Sequence, residues 1–354
     1  MPRIELPISK SIANRLLILQ AIHGDGLMTV SADLPEDVLI LHNALTTLRT
    51  FKTSKTLPTP HINVGNCGTA MRFLTAYCAQ LEGQTTILDG VERMHHRPIG
   101  QLVDALREIG AQIEYLGEEG FPPLRIKGCI LDKHRIVTIN SPQSTQFVSA
   151  LLLIGANVHT DSTSPYITLT REMIKQWGDA AEYTSPLIGG VGGGFIEKDW
   201  SSAAFWYEYV ALHGGEITLP GLCRNSLQGD KVVAEKFANL GVQTYYTTEG
   251  VVISSSPLHP TPYTLHHDFV ACPDLYPAVA LTCERLGIQL HATGVESLPL
   301  KESDRLRAVA EHRTDADHRM AMALLIAGYE VDDTACISKS YPRFLDHLRQ
   351  LYEK

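Results

Sequence analysis

One pattern of apolar and polar positions recurs along the chain: an apolar run with helical spacing ends at glycine, and a strand-like stretch follows. The pattern occurs six times. The runs and their strands are predicted at 12–24 with 27–30, 70–83 with 85–88, 147–155 with 158 onward, 203–214 with 216–219, 277–287 with 288–292, and 320–328 with 329–331. Such a repeat predicts an α/β protein built from similar units.

A second helix is predicted after most of these strands, at 37–48, 99–109, 171–177, 231–240, 302–311 and 341–352. Gly110 and Gly241 each precede one more strand-like stretch, so the unit reads strand, helix, strand, helix, strands. Six such units predict two domains of three units each, with the glycine-rich stretch 189–194 as the crossing between them. The alternative is a doubly wound sheet, but the regular order of helix, glycine and strand favours the repeat.

The repeat is uneven toward its end. The first-helix glycines Gly214 and Gly287 are 73 residues apart, whereas Gly287 and Gly328 are only 41 apart. The interval from Arg305 to Asp317 has room for one helix and no hairpin. Loss of peripheral strands and omission of a segment from the chain both account for this spacing.

Composition and net charge exclude several classes of function. With 44% hydrophobic and 19% charged residues, the chain predicts a packed soluble protein. The formal net charge of −9 argues against non-specific binding to nucleic acid or to an anionic membrane. The seven scattered cysteines indicate buried thiols in a reducing compartment, and the N-terminus has no apolar signal core, so we expect a cytoplasmic protein.

Cationic residues stand where helices are predicted to begin, although the helix dipole disfavours cations there. The eight residues concerned are Lys10, Arg15, Arg72, Arg97, Lys301, Arg305, Arg319 and Lys339. Free N–H groups and clustered cations together bind phosphate or carboxylate, so the pattern predicts a cleft for a polyanionic small molecule. Glu302 to Asp304 are interpreted as first-turn residues of one helix, and Asp317 as the cap of the next.

Two acids, Asp274 and Glu302, stand out among these cations and are candidates for proton transfer. Gly68 allows close approach to the backbone, and Ser144, Thr145 and Gln146 supply neutral hydrogen-bonding groups before another apolar run. No P-loop, H-E-x-x-H or C-x-x-C motif is present. The adjacent pair of histidines at 95 and 96 suits metal chelation poorly.

Five stretches resemble the 5-enolpyruvylshikimate-3-phosphate (EPSP) synthase family in sequence and in order. They are Leu6–Arg15, Asn66–Arg72, Arg97–Gly100, Lys301–Arg305 and Asp317–Met322. The resemblance implies the two-domain enolpyruvyl transferase fold, an inside-out α/β barrel with three βαβαββ units in each domain. It places residues 8–197 in the first domain and residues 1–7 with 198–354 in the second, with the active site in the cleft between them.

The resemblance also implies a reaction: transfer of the enolpyruvyl group of phosphoenolpyruvate to the 5-hydroxyl of shikimate 3-phosphate, with release of phosphate. This is a step of the shikimate pathway toward chorismate and the aromatic amino acids, and its enzyme is the target of glyphosate. No metal or organic cofactor, no nucleic acid and no membrane is implied, and we expect a monomer.

Roles carry over residue by residue. The resemblance assigns shikimate 3-phosphate to Lys10, Ser11, Arg15, Ser144, Thr145, Gln146, Thr163, Asp274, Ser297 and Lys301. It assigns phosphoenolpyruvate to Lys10, Gly68, Arg72, Arg97, Gln146, Arg305, Arg319 and Lys339. Asp274, Glu302 and Lys10 are the implied catalytic residues. The family usually has serine where Thr145 and Thr163 stand, and asparagine where Ser297 stands.

Two other readings stay open. One is the related enolpyruvyl transfer to UDP-N-acetylglucosamine, which shares the fold; the stretches Asn66–Arg72 and Asp317–Met322 favour shikimate 3-phosphate. The other is a degenerate, anion-binding homologue that has lost turnover through its shortened units. The presence of both Asp274 and Glu302 argues against loss of turnover.

Overall fold

The structure is a computed structural model, and it describes residues 2–24, 26–31, 33–53, 59–178, 196–257 and 264–352. The predicted crossing at 189–194 lies outside these residues. The chain divides into two compact units. The N-terminal unit comprises Ser11–Val30 and Asp37–Gly193, and the C-terminal unit comprises Met1–Lys10, Ser31–Glu36 and Gly194–Lys354. The domain boundaries predicted from the sequence stay predictions.

The N-terminal unit alternates helices with short strands. Its elements are α1 (Lys10–His23), α2 (Glu36–Thr53), β1 (His61–Asn63), α3 (Gly68–Ala79), β2 (Thr85–Asp89), α4 (Glu92–His95), α5 (Gly100–Glu108), β3 (Gln112–Tyr115), β4 (Leu124–Lys127), β5 (Ile136–Thr138), α6 (Thr145–Leu153), β6 (Asn157–His159) and α7 (Pro165–Gly178). A four-stranded sheet has the order β1-β2-β4-β3, in which β1 and β2 are parallel and the other pairs are antiparallel. Strands β5 and β6 form a separate parallel pair.

The interior of this unit is helical. Helix α3 buries all but one residue of its span, and α6 is buried from Phe147 to Leu151. A helix that is apolar on nearly every side must be enclosed, and α3 packs against both α5 and α6. The strands β1, β4 and β5 instead alternate buried and exposed residues, as a sheet with one face in solvent does.

The C-terminal unit follows the same plan. Its elements are α8 (Trp200–His213), β7 (Glu216–Pro220), α9 (Val233–Ala238), β8 (Val242–Tyr246), β9 (Gly250–Ser255), β10 (Thr264–Asp268), α10 (Tyr276–Leu286), β11 (Gln289–Thr293), α11 (Arg305–Glu311), α12 (His318–Ile326) and α13 (Phe344–Tyr352), with 3₁₀ turns at Gly229–Val232, Pro273–Leu275, Leu298–Leu300 and Ala335–Lys339. One antiparallel sheet has the order β7-β9-β8, and β10 pairs with β11 in parallel. The N-terminal segment joins this unit through a hydrogen bond from the Ile4 amide to the Thr218 carbonyl (3.0 Å).

Helices α8, α10 and α12 pack against one another at the centre of the C-terminal unit. Helix α8 is buried almost throughout, with Trp200 and Trp206 fully enclosed. Trp206 packs against Phe344 of α13 in a tilted arrangement, with ring centroids 5.5 Å apart. Buried aromatic area of this kind contributes strongly to the stability of a core, and here it joins α13 to α8.

Most of the predicted helices and strands are present, but some predictions were wrong. Residues 27–30 and 329–331 are not strands. The helix predicted from 302 begins instead at Arg305, because Asp304 adopts an extended conformation and caps it by accepting a hydrogen bond from the Arg307 amide (3.2 Å). Short strand-like sequences need a neighbouring strand to complete their hydrogen bonds, and local pattern does not reveal whether one exists.

The interval from Arg305 to Asp317, which the structure describes throughout, holds one helix and no hairpin, as its length predicts. The only regular element in this interval is α11, and residues 312–316 connect it directly to α12. Three residues of this connection have positive φ without being glycine: His312 (53°), Asp315 (46°) and Ala316 (56°). The chain therefore turns from one helix into the next in a conformation that costs free energy at several non-glycine positions.

Candidate active site

Acidic and basic side chains meet at the N-terminal ends of the central helices of the C-terminal unit. We call this set the C-terminal cluster; its members are Asp274, Lys301, Glu302, Arg305, Asp317, Arg319 and Lys339. Asp274 lies in the 3₁₀ turn that leads into α10, Arg305 is the first residue of α11, and Asp317 caps α12. The packing of α10, α11 and α12 brings these ends together.

Arg305 is the centre of the cluster, and its side chain is only 1% exposed. Its Nε donates to Asp317 Oδ2 (2.8 Å), its Nη1 to Asp274 Oδ1 (2.7 Å) and its Nη2 to Glu302 Oε2 (3.0 Å). Burial alone would lower the pKa of the guanidinium, but the surrounding carboxylates Asp317, Asp274 and Glu302 raise it. Arg305 therefore stays charged and holds three carboxylates in place.

Asp274 faces two more cations. Arg319 Nη2 lies 2.8 Å from Asp274 Oδ2, and Lys301 Nζ lies 3.6 Å from Oδ1. Burial favours the neutral acid, yet the attraction of Arg319, Lys301 and Arg305 outweighs it and holds the pKa of Asp274 well below its usual value. The carboxylate of Asp274, which is 22% exposed, is thus ionised in the ligand-free protein. On the other side of the cluster, Lys339 Nζ lies 3.1 Å from Glu302 Oε1.

Two further carboxylates, neither of them among the predicted site residues, lie beside this cluster. Asp199 caps α8, accepting hydrogen bonds from the Ser201 amide (3.0 Å) and the Ser202 hydroxyl (3.1 Å). Asp230, only 1% exposed, accepts a hydrogen bond from the Ser201 hydroxyl. Burial and the nearby Asp274 carboxylate raise the pKa of Asp230 to about 6, against the opposing effect of Arg319. No local motif marks Asp230, because its partner Ser201 is 29 residues away in sequence.

Lys10 and His318 also belong to this region. The charge of Lys10 acts on both Asp199 and His318. His318 is 1% exposed, and among the described residues neither ring nitrogen has a hydrogen-bond partner. Burial, together with the positive charge of Lys10, keeps the pKa of His318 well below its usual value, so its imidazole is neutral. The cations Lys10, Lys301, Arg305, Arg319 and Lys339 therefore lie with an equal number of carboxylates, Asp199, Asp230, Asp274, Glu302 and Asp317.

Two further arginines lie beside a glycine in the N-terminal unit, and we call these three residues, Gly68, Arg72 and Arg97, the N-terminal cluster. Gly68 is the first residue of α3, and both guanidinium groups lie over it: a Cβ at this position would be 2.2 Å from Arg72 Nη1 and 2.6 Å from Arg97 Nη2. Arg97 donates to the Asn66 carbonyl (3.1 Å), and Arg72 to the Pro98 carbonyl (3.4 Å). Both of these acceptors are neutral carbonyls, and the arginines are buried: Arg72 is 4% exposed and Arg97 is 8% exposed.

The neutral residues predicted for the site lie at the start of α6. Ser144 is its cap and accepts a hydrogen bond from the Gln146 amide (3.3 Å), and Thr145 is its first residue. The Gln146 side chain donates to Thr69 Oγ1 of α3 (2.9 Å). The structure thus joins the start of α6 to the start of α3, where Gly68 lies, although the two are far apart in sequence.

Arg15 contacts protein groups on several elements. Its Nε donates to Thr170 Oγ1 (2.7 Å), one Nη to Ser149 Oγ (3.2 Å), and the other to the Ser11 carbonyl (2.8 Å). Burial lowers the pKa of Arg15 to about 10, so the group remains protonated at neutral pH. Of the remaining predicted residues, Thr163 is exposed just before α7, and Ser297 is half-buried at the start of a 3₁₀ turn.

Among the described residues, no group of three or more His, Cys, Asp or Glu side chains could hold a metal ion. Over the same residues, no helix is both long and apolar enough to cross a membrane.

Each unit has buried helices and short strands, so the chain is an α/β protein, and charged side chains gather where several of its helices begin. The family model of EPSP synthase (3-phosphoshikimate 1-carboxyvinyltransferase) matches residues 2–312 and 309–348. A 3-phosphoshikimate 1-carboxyvinyltransferase of Bacteroides fragilis is 37% identical, over 98% of this chain and 94% of that protein. One of Cellvibrio japonicus is 32% identical, over 98% and 96%. The chain therefore belongs to the EPSP synthase family.

A solved structure supports the same fold. EPSP synthase from Acinetobacter baumannii superposes with a TM-score of 0.64 at 20% sequence identity, and the match covers 98% of this chain and 95% of that one. The predicted enolpyruvyl transferase fold is thereby confirmed.

The family comparison also bears on the shortened unit. The alignment with the Bacteroides fragilis protein has 408 positions, against 354 residues in this chain, so at least 54 of its positions have no counterpart here. The two stretches of the family match meet at 309–312, next to the direct connection between α11 and α12.

Proposed function

We propose that this protein is a 3-phosphoshikimate 1-carboxyvinyltransferase, which transfers the enolpyruvyl group of phosphoenolpyruvate to the 5-hydroxyl of shikimate 3-phosphate and releases phosphate. The observation that carries the proposal is the C-terminal cluster, in which two carboxylates, Asp274 and Glu302, are each held within about 3 Å of cations. Family membership supports the same activity.

The chemistry needs a proton acceptor and a proton donor. The 5-hydroxyl must lose a proton while it attacks C2 of phosphoenolpyruvate, and the methylene carbon must gain one, which gives a tetrahedral intermediate with a methyl group. Loss of phosphate together with one proton of that methyl group then restores the carbon–carbon double bond. We assign Asp274 as the acceptor and Glu302 as the group that assists protonation of the methylene carbon. Lys10 contributes positive charge near the leaving phosphate.

The low pKa of Asp274 limits its ability to accept a proton in the ligand-free protein. While Arg319, Lys301 and Arg305 face it, Asp274 is a weak base. Substrate anions that engage the same cations would reduce their pull on Asp274 and raise its basicity. Binding and proton acceptance are coupled in this way, so that Asp274 becomes an effective base only when the site is filled.

We propose that the residues of these charged clusters, with the neutral residues near them, bind the two substrates. We assign the phosphoenolpyruvate anion to Lys10, Arg72, Arg97, Arg305, Arg319 and Lys339, with Gly68 and Gln146 beside it. Shikimate 3-phosphate is assigned to Lys10, Ser11, Arg15, Ser144, Thr145, Gln146, Thr163, Asp274, Ser297 and Lys301. Arginine clusters suit such ligands because each guanidinium offers several fixed donors to carboxylate or phosphate oxygens.

The test is a phosphate-release assay with phosphoenolpyruvate and two alternative acceptors, shikimate 3-phosphate and UDP-N-acetylglucosamine. We expect release only with shikimate 3-phosphate, and Glu302→Gln should reduce saturated turnover by about 10²–10⁴-fold while both substrates still bind. Release that depends on UDP-N-acetylglucosamine would assign the related reaction instead. Binding of both ligands without any release would identify a non-catalytic homologue.

A cytoplasmic location and a monomeric state are part of the proposal. All seven cysteines are free thiols, and four of them (Cys67, Cys78, Cys272 and Cys283) are buried, which suits a reducing compartment. Sedimentation of the purified protein across a range of concentrations would detect any self-association.

A further inference from the structure

Asp317 makes more contacts than a helix cap requires. Its side chain is fully buried. Oδ1 accepts the backbone N–H of Arg319 (2.9 Å), which is the capping bond, and Oδ2 accepts from Arg305 Nε (2.8 Å) and from Ser303 Oγ (3.2 Å). Arg305 Nη2 lies 3.4 Å from Oδ1 as well. One carboxylate thus contacts the first residue of α11 and the first turn of α12.

We infer that Asp317 is a positioning residue for phosphoenolpyruvate binding: it fixes the guanidinium of Arg305 and the backbone from which Arg319 projects. This inference rests on the proposed function, and Asp317 is not among the residues assigned to either substrate. It acts through the arginines and does not touch the reacting atoms.

The physical reason is preorganisation. A free arginine side chain loses several rotatable bonds when it binds an anion, and a guanidinium already held in place has lost them before the ligand arrives. Asp317 supplies this restraint from the buried side of Arg305, while Asp274 and Glu302 contact the other nitrogens. A substrate anion can replace those two carboxylates as partners of Arg305 without releasing the Asp317 contact.

Asp304 provides an internal comparison, because it caps α11 as Asp317 caps α12. Asp304 accepts the Arg307 amide (3.2 Å), is only partly buried, and lies one position before Arg305. A serine at either position would keep a capping oxygen, because serine is as good an N-cap as aspartate. At position 317, however, serine would remove the carboxylate that binds Arg305.

The experiment compares Asp317→Ser with Asp304→Ser, measuring melting temperature, kcat, and KM for each substrate. For Asp317→Ser we expect KM for phosphoenolpyruvate to rise about 10- to 100-fold, the range that corresponds to one lost hydrogen bond between charged groups. KM for shikimate 3-phosphate should change less than threefold, and Asp304→Ser should leave both KM values near those of the wild type. Equal increases of both KM values, or an unchanged KM for phosphoenolpyruvate, would overturn the inference.

A double-mutant cycle with Arg305→Gln tests whether Asp317 acts through the arginine. If it does, Arg305→Gln with Asp317→Ser should lose little more kcat/KM than Arg305→Gln alone. If the kcat/KM loss of the double variant instead equals the product of the two single-variant losses, Asp317 acts independently of Arg305, and the positioning role is refuted. If Asp317→Ser does not fold, Ser303→Ala is used in its place, because this change removes a hydrogen bond to Asp317 and leaves the ion pair between Asp317 and Arg305. Ser303→Ala should raise KM for phosphoenolpyruvate a few-fold. An unchanged KM would count against the inference.

The two levels of the proposal fail differently. A wild-type protein without phosphate release overturns the proposed function, and with it any role for Asp317 in the reaction. If the wild type is active but the losses in kcat/KM multiply in the double-mutant cycle, the proposed function stands and only the positioning role of Asp317 is refuted.

Discussion

At the scale of single residues, the absence of one side chain at Gly68 decides where two arginines lie. Both guanidinium groups occupy the space that a Cβ would take. Because the obstructing atoms are the ends of flexible side chains, Gly68→Ala should fold normally, and alanine at the start of a helix adds stability. The arginines must move, so we expect KM for phosphoenolpyruvate to rise by about tenfold or more.

Gly100→Ala is a matched control for this change. Gly100 also begins a helix in the N-terminal unit, and the nearest atom to an added Cβ there is the Gly120 Cα at 3.5 Å, an ordinary contact. Steady-state kinetics should show near-normal constants for Gly100→Ala. A Gly68→Ala enzyme with unchanged KM for phosphoenolpyruvate would contradict the placement of the arginines over Gly68.

Asp230 gives a prediction about pH and stability. Its pKa is about 6 in the folded protein, against 3.8 for an ordinary aspartate, so the folded state retains a proton that the unfolded state has lost. The free energy of unfolding should therefore fall as the pH rises from 3.8 to 6, by about 3 kcal/mol from this residue, and then level off. Asp230→Asn should lack this fall.

Urea denaturation of the wild type and of Asp230→Asn at several values between pH 4 and pH 7 measures the difference. The two free energies of unfolding should diverge in this window, because the stability of the variant increases relative to that of the wild type as the pH rises. Parallel curves would show that Asp230 does not hold a proton in the folded state.

At the scale of elements, the direct connection between α11 and α12 stores strain. Ala316 is exposed and has a φ of 56°, which costs an L-residue about 1–2 kcal/mol. Glycine has no such cost, although it loses more entropy on folding, so Ala316→Gly should raise the free energy of unfolding by about 0.5–1 kcal/mol.

Ala211 lies in the regular helix α8, and Ala211→Gly should act in the opposite direction, lowering stability by about 1 kcal/mol. Urea melts of the two variants under one set of conditions provide the comparison. Loss of stability in both would mean that the connection does not hold Ala316 in the left-handed region.

At the scale of the whole molecule, the residues that we propose for phosphoenolpyruvate are found in both units. Arg97 belongs to the N-terminal unit and Arg319 to the C-terminal unit. We expect Arg97→Ala and Arg319→Ala each to weaken phosphoenolpyruvate binding by about 10- to 100-fold, because each removes a buried charged donor. Arg97→Ala should weaken shikimate 3-phosphate binding far less.

Calorimetric titration with phosphoenolpyruvate, in the presence of shikimate 3-phosphate, measures these affinities. Arg125→Ala and Arg307→Ala are exposed controls, one in each unit, and both arginines are paired with surface glutamates. Full affinity in either Arg97→Ala or Arg319→Ala would remove that arginine from the residues assigned to phosphoenolpyruvate.

The sequence by itself determined the helices that end at glycine, the strands that follow most of them, and the family, because these depend on local pattern and on motifs of consecutive residues. It also identified Asp274, Glu302 and the cations at helix starts as a charged group. The convergence of Asp274 with Lys301, Arg305 and Arg319 agrees with that expectation, although their roles stay predictions.

Only the tertiary structure decided which partners these charges have. The sequence suggested an excess of cations around two acids, whereas folding brings Asp199, Asp230 and Asp317 into the same region and balances the charge. Asp230 meets Ser201 across 29 residues of chain, and Arg305 binds three carboxylates at once through α10, α11 and α12. Such pairings follow from helix packing in space, which no local pattern of residues records.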